Sequence, residues 1–123
     1  MRDRQQRLER LLEELARKPH VLGAALLSRD GLAVRVAGRQ DLNRETFSAM
    51  AATLMGAAEI ALAELDAGRV RYVATQSDHV KMVLIGATPD LLLAVYATAE
   101  ASLDGIVLAT QTAAGSVAAV VAG

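Results

Sequence analysis

The sequence predicts an α+β domain in which a five-stranded antiparallel sheet is covered by helices on both faces. The predicted elements follow the order helix, two strands, helix, three strands, helix. Tight turns join most successive strands, which favours antiparallel pairing over a doubly wound parallel sheet. The last strand is apolar on both faces, and such a strand must lie in a sheet that is covered on both sides. The 123 residues are enough for one domain, residues 1–123, with its own core.

The first helix is predicted over residues 4–18. Four leucines recur there at spacings of three and four residues, which places them in one stripe along a helix. These are Leu8, Leu11, Leu12 and Leu15. Pro19 ends the helix, because the residue before a proline is pushed out of the α region. The first helix is therefore expected to pack its leucine stripe on the sheet and to leave its charged residues in water.

Two strands, over residues 20–28 and 33–37, are predicted to form a hairpin. Residues 29–32 connect them with the sequence Arg-Asp-Gly-Leu. An Asp-Gly pair between two apolar runs is typical of a type I′ turn, in which both central residues have positive φ. We therefore expect an antiparallel pair at this point of the sheet, followed by a polar loop.

The second helix is predicted from about residue 43 to about residue 66. Asn43 or Asp41 can cap its N-terminus, and Gly68 follows its end. Its apolar and small residues form two adjacent stripes. The first stripe consists of Phe47, Met50, Ala51, Leu54, Ala58, Ala61 and Leu65, and the second of Ala52, Met55, Glu59 and Leu62.

This second helix lacks the charged outer face that a helix on the surface of a monomer normally carries. Between Thr46 and Ala63 its only charged residue is Glu59. The pattern favours cover on two sides, with the sheet on one and a second protein chain on the other. The alternative is that the helix forms the core of a monomer.

Three strands and a helix complete the chain. The strands are predicted over residues 70–77, 80–87 and 91–97, with tight turns at residues 78–79 and 88–90. Ser102 can cap the last helix, which is uncharged from residue 105 to the end. This helix is either core or a surface for a partner. Its polar residues make it a poor membrane span, so no direct membrane insertion is expected.

The composition excludes several classes of protein. The chain has no cysteine, which excludes disulfides, thiolate metal sites and a cysteine nucleophile. A net charge of −1 and only three aromatic residues provide neither the basic face nor the stacking platform typical of nucleic-acid binders. The N-terminal residues are densely charged, unlike those of a signal peptide. We therefore expect a cytoplasmic protein that does not bind nucleic acid.

The motifs of common catalytic sites are missing. The sequence has neither a phosphate-binding loop of the Gly-x-x-x-x-Gly-Lys-Ser/Thr kind nor a Gly-x-Gly-x-x-Gly run. His20 and His79 both lie at predicted element edges. Ser77 and Asp78 precede His79 in a single turn, whereas a catalytic triad needs side chains that converge from different elements. The sequence therefore predicts no catalytic residue, no metal site and no cofactor.

The chain resembles the roadblock family, the dynein light-chain-like domains that also occur in bacteria and archaea as regulators of Ras-like GTPases. The resemblance rests on the amphipathic first helix, on Val-Leu-Gly-Ala-Ala-Leu-Leu at residues 21–27, and on Asp-Gly-Leu at residues 30–32. An Ala- and Met-rich second helix, three strands and a final helix follow in the family's order. The resemblance implies a profilin-like sandwich.

The resemblance also implies a homodimer in which the third strands pair and the second helices lie side by side. In bacterial relatives the paired second helices form a platform for a small GTPase, and the family has no general catalytic motif. On this basis we predict a GTPase-binding platform at Met55, Glu59 and Leu62. The predicted dimer interface consists of Ala52, Arg71, Val73 and Thr75.

The predicted function is that of a non-enzymatic homodimeric binding module that docks a Ras-like small GTPase and modulates its nucleotide cycle. One alternative is a structural scaffold subunit of a larger complex, with no effect on GTP hydrolysis. Another is a small-molecule sensor, because sandwiches of this kind can open a pocket between sheet and helix. A ligand pocket usually carries a few convergent polar groups, and the sequence alone does not identify them.

Overall fold

The computed structural model describes residues 2–39 and 41–123, and within them the predicted order α-β-β-α-β-β-β-α is confirmed. The elements are α1 (Arg2–Ala16), β1 (Val21–Ser28), β2 (Ala33–Gly38), α2 (Arg44–Glu64), β3 (Val73–Gln76), β4 (Val80–Gly86), β5 (Leu91–Thr98) and α3 (Leu103–Ala122). Most of these bounds lie within two residues of the predicted ones, and β3 is the exception.

The five strands form one antiparallel sheet in the order β2-β1-β5-β4-β3. Strand β5 is central, and its Ala94 lies opposite Ala25 of β1 and Leu84 of β4. Residues 92–97 of β5 are all buried, which confirms that this strand is covered on both faces. Strands β2 and β3 form the two edges of the sheet.

Helices α1 and α3 cover one face of the sheet. Leu12 of α1 and Val117 of α3 are each 1% exposed and pack in one cluster with Leu26 of β1 and Val95 of β5. Burying an aliphatic side chain of this size stabilises a fold by about 1.5–3 kcal/mol. The leucine stripe predicted for the first helix is confirmed as its sheet-facing side, with Leu11 at its border.

Helix α2 covers the opposite face, and it does so mainly with its first half. Its buried residues are Ser48, Ala51 and Met55, and beyond Met55 every residue of the helix is at least partly exposed. Phe47 packs its ring against Tyr96 of β5, with the ring centroids 5.4 Å apart. The second half of α2 therefore offers most of its surface to solvent.

Asn43, one of the two residues predicted to cap α2, is its N-cap. The Asn43 side chain accepts a hydrogen bond from the backbone N–H of Thr46 at 3.0 Å. Asp41 instead accepts one from Nε of Arg39 at 2.7 Å, and this bond lowers the pKa of its carboxyl group. Asn43 is the cap because its side chain satisfies the N–H of the third helical residue, one of the first backbone N–H groups that have no partner within the helix.

The end of α2 differs from the prediction, because the chain turns before Gly68. Asp66 adopts positive φ (51°), its N–H bonds to the Ala63 carbonyl, and the Ala67 N–H bonds to the Leu62 carbonyl. These two bonds form a Schellman motif, whose left-handed position is usually occupied by glycine. Gly68 pointed to a helix end two residues too late, because Asp66 and not a glycine occupies the left-handed position.

The β1–β2 hairpin is confirmed, but the predicted type I′ turn is wrong. Gly31 has positive φ (91°), whereas Asp30 does not. The Gly31 N–H donates to the Ser28 carbonyl at 3.0 Å, and the Ser28 N–H donates to the Leu32 carbonyl at 2.9 Å. This is a type I turn followed by a glycine bulge, the usual form of a three-residue hairpin loop. The pairing of β1 with β2 shifts register close by, between Leu26 and Leu27.

Strand β3 begins three residues later than predicted. Val73 pairs with Leu84, and the residues before Val73 leave the sheet. Val70, predicted as the first strand residue, packs instead against the apolar cluster beneath α2. Burial of that valine diverts the chain from the ladder, which leaves β3 as a strand of four residues.

Candidate interaction surface

The outer side of α2 is an exposed strip with little charge. Residues three and four apart share one side of a helix. The side of α2 that points away from the sheet carries six exposed residues at this spacing, Thr46, Met50, Thr53, Ala57, Ile60 and Glu64. We call this set the outer strip. Met50 is 58% exposed and Ile60 is 70% exposed. The Thr53 hydroxyl donates to the Ala49 carbonyl at 2.8 Å, so this polar group is already satisfied within the helix.

The one charged residue between Thr46 and Ala63 is bound to another part of the chain. Nη1 of Arg29, in the β1–β2 turn, lies 3.0 Å from both carboxylate oxygens of Glu59. The two side chains are 35% and 40% exposed, so the pair contributes at most about 1 kcal/mol to stability. The pair nevertheless compensates the charge of Glu59 and holds it beside the hairpin turn.

Strand β3 presents an edge without protection. It pairs with β4 on one side, and none of its four residues is charged or a proline. The opposite edge, β2, carries Arg35, whose Nη1 lies 3.8 Å from Oε2 of Glu9 in α1. Charged residues and prolines are the usual means by which edge strands avoid pairing with another chain. The β3 edge is therefore the better template for an added strand.

The structure separates the three residues predicted for the GTPase platform. Met55 is 2% exposed and packs with Leu84 and Leu92 of the sheet, so it is wrong as a docking residue. It lies one turn after the buried Ala51 and on the same side of the helix. Glu59 and Leu62 continue this side of α2 toward its end, and both are partly exposed there.

The residues predicted for the dimer interface lie on or near the β3 side of the molecule. Val73 and Ala52 both pack at the border of the cluster beneath α2, so the fold brings these two together. Thr75 lies on β3 and is half-buried, whereas Arg71 is exposed and precedes the strand. Their role in dimerisation stays a prediction.

The most exposed apolar side chains of this region were missed or misplaced by the sequence analysis. Ile60 belongs to neither predicted stripe, and Met50 and Leu65 were grouped with Phe47, which packs on the sheet. Leu65, just past the helix end, is 73% exposed. At 100° per residue, Met50 and Ile60 lie on the same side of the helix. The sequence would have identified this side as the outer one only if the buried side with Ser48, Ala51 and Met55 had been recognised first.

The histidines and the acidic side chains were candidates for a metal site or for acid–base chemistry. His20 and His79 are both exposed and lie in turns. Within residues 2–39 and 41–123, no group of three histidine, aspartate or glutamate side chains is placed to hold a metal ion. Tyr96 is the most deeply buried titratable side chain beneath α2, and burial raises the pKa of its hydroxyl.

Two helices are long and apolar enough to cross a membrane by length and composition alone. These are Arg44–Glu64, with a mean hydropathy of 1.4, and Leu103–Ala122, with 1.6. Both pack one side against the sheet, and α3 buries six residues there. Core helices of soluble proteins have the same composition, so this property is weak evidence for a membrane span.

Comparison with protein families gives one family for this fold. A family model described as "Roadblock/LC7 domain" matches residues 7–97. An uncharacterized protein of Methanocaldococcus jannaschii is 27% identical over 112 residues, which are 91% of this chain and 97% of that protein.

Solved structures give the same fold. The Roadblock/LC7 domain from Streptomyces avermitilis superposes with a TM-score of 0.86 at 27% identity, over 94% of this chain and 98% of that one. A structure described as MglB with tetrameric arrangement gives 0.87 at 20% identity, over 95% and 89%. Profilin II of Acanthamoeba castellanii gives 0.55 at 14% identity, over 81% and 86%. The profilin-like sandwich expected from the sequence is thereby confirmed.

Proposed function

Because this chain belongs to the Roadblock/LC7 domain family, we propose that it is a non-enzymatic, cytoplasmic binding module. In this proposal it pairs with a second copy, docks a Ras-like small GTPase and modulates its nucleotide cycle. The observation that carries the proposal is the exposed and weakly charged surface of α2, which includes Met50 and Ile60 in the outer strip and the partly exposed Leu62 outside it. A helix surface of this length with so little charge is typical of a surface that another protein covers.

The self-association that we propose uses the edge of β3. Two β3 edges related by a two-fold axis would join two five-stranded sheets into one. Arg71, Val73 and Thr75 would lie along that junction, and Ala52 would lie on the flank of α2 beside it. The arrangement accounts for an edge strand that has neither charge nor proline. The tetrameric arrangement described for the MglB structure is consistent with self-association in such folds.

The docking platform that we propose lies on the second half of α2. Glu59 and Leu62 are partly exposed there and do not contribute to the buried core. Two α2 helices side by side would present these residues twice, around one axis. The GTPase would then perform its own chemistry, and this chain would act by holding residues of the GTPase in place.

The proposal is tested by size-exclusion chromatography with light scattering. The chain is mixed with Ras-like GTPases of its own host, loaded with GDP or with a non-hydrolysable GTP analogue. We expect a complex that contains two copies of this chain and forms with the GTP analogue. Leu62→Arg should abolish the complex and leave the fold intact, because a charge is placed where an apolar contact is expected.

Leu108→Arg is the matched control, since Leu108 is 65% exposed on α3, in the layer on the opposite face of the sheet. This variant should bind the GTPase as the wild type does. Normal binding by a folded Leu62→Arg chain would remove Leu62 from the platform. A stable dimer that ignores every GTPase in both nucleotide states would favour the scaffold subunit instead.

A further inference from the structure

A cleft of about 470 Å³ opens where the second half of α2 stands away from the sheet. Its walls are Met55 and Glu59 of α2, residues 68–71 on the way into β3, and residues 86–89 in the β4–β5 turn. Arg29 of the β1–β2 turn closes one side. The volume lies within the range of pockets that hold small molecules.

The cleft has an excess of positive charge. Three arginines, Arg29, Arg69 and Arg71, and one carboxylate, Glu59, line it, which leaves a net of two positive charges. Arg29 is compensated by Glu59. Arg69 and Arg71 form no salt bridge with any residue in the described part of the chain. Guanidinium groups that line a concave site without a carboxylate partner are suited to bind an anion.

Arg29 is held in a fixed position at the cleft wall. Its Nη1 is 3.0 Å from both oxygens of Glu59. Its Nη2 lies 3.0 Å from the point that a Cβ of residue 86 would occupy, so Gly86 leaves room for the guanidinium to pack closely against the backbone. A guanidinium fixed in this way loses little conformational entropy when it binds a ligand.

The other two arginines come from one short segment. Val70 lies between them and packs against the cluster beneath α2, which anchors the segment at the cleft. Arg69 precedes Val70 and Arg71 follows it, and both arginines line the cleft. The same burial that shortens β3 therefore places two guanidinium groups at one site.

We propose that this cleft binds a small phosphate-bearing anion. A phosphate monoester carries about −1.5 to −2 charges at neutral pH, which matches the net charge of the lining, whereas a single carboxylate carries only one. A phosphate group also offers oxygens in several directions, so two guanidinium forks approaching from different sides can bind it at once. The site lies outside the outer strip, but it shares Glu59 with the proposed docking platform and Arg71 with the proposed dimer junction.

The test is calorimetric titration of the full chain with pyrophosphate, with inorganic phosphate as a second ligand and chloride used to hold the ionic strength constant. We expect saturable binding by the wild type. Arg69→Gln should weaken it by about tenfold or more, because a charge-assisted hydrogen bond is lost. Glu59→Gln should strengthen it several-fold, since it removes a negative charge from the cleft wall while the glutamine oxygen can still accept a hydrogen bond from Arg29.

Arg17→Gln is the matched control, because Arg17 is exposed at the end of α1 and the substitution changes the net charge equally. This variant should bind pyrophosphate as the wild type does. The proposal is overturned if the wild type shows no saturable binding, if Arg69→Gln has no effect, or if Arg17→Gln weakens binding as much. It is also overturned if Glu59→Gln binds no better than the wild type. Pyrophosphate binding is measured by calorimetry and GTPase docking by light scattering, so the two proposals fail separately even though Glu59 belongs to both sites.

Discussion

A single residue, Asp66, determines how α2 ends. It occupies the left-handed position of a Schellman motif, with φ 51°. For an L-residue this conformation costs roughly 1–2 kcal/mol, and glycine adopts it without that cost. The sequence pointed to Gly68 as the end of the helix because glycine is the usual residue at such a position, and it could not reveal that an aspartate carries the strain.

We predict that Asp66→Gly stabilises the fold by about 0.5–1 kcal/mol, the relief of strain less the greater freedom of glycine in the unfolded chain. Chemical denaturation at 25 °C measures this change. Ala57→Gly, at an exposed position in the interior of the same helix, is the control and should destabilise by about 1 kcal/mol. A loss of stability in the Asp66→Gly chain would contradict the assignment of the motif.

At the scale of elements, the sequence was sufficient for the order of the helices and strands. The leucine stripe of α1, the Asp-Gly hairpin and the apolar β5 each carry a local pattern that the fold follows. The side of α2 that meets the sheet was harder to identify. Its buried line contains Ser48, which is fully buried and whose hydroxyl has no hydrogen-bond partner among the described residues. A polar residue in the buried line concealed it and divided the neighbouring apolar residues into two apparent stripes.

The position of Met55 distinguishes the buried side of α2 from the outer strip. We predict that Met55→Ala destabilises the fold by about 2–5 kcal/mol, because it leaves a cavity between the helix and the sheet. Met50→Ala makes the same chemical change on the same helix at a side chain that is 58% exposed. This control should cost less than about 1 kcal/mol. Equal losses of stability in denaturant titrations of the two variants would mean that α2 is rotated relative to this structure.

The hairpin and β3 show two further limits of local patterns. An Asp-Gly pair is compatible both with a two-residue turn and with a three-residue loop that ends in a glycine bulge. The register shift near Leu27 goes with the second form. The alternation from residue 70 onward is typical of a strand, yet Val70 is drawn out of the sheet because it gains burial beneath α2.

At the scale of the whole molecule, the two faces of the sheet are covered unequally. Helices α1 and α3 bury a large cluster on one face, whereas α2 alone covers the other and stands away from it in its second half. The lack of charge in α2 predicts that something besides the sheet covers this helix, and this stays a prediction. The sequence pattern could not show which side of α2 faces the sheet, because an apolar stripe has the same composition whether it contacts a sheet or another chain. The arginine cleft could not be predicted at all, since its walls come from four separate parts of the sequence.

Self-association through the β3 edge is the step on which the proposed two-helix platform depends. Ser77 and Val80 are a hydrogen-bonded pair, and hydrogen-bonded and open pairs alternate along antiparallel strands, so the N–H of Ala74 points away from β4. Ala74→Pro should therefore block an added strand and keep the ladder to β4. The measurement is the mass in solution by light scattering. We predict two chains of 12.9 kDa for the wild type and one for Ala74→Pro. A wild-type chain with the mass of a monomer, or an Ala74→Pro chain that remains a dimer, would contradict the claim.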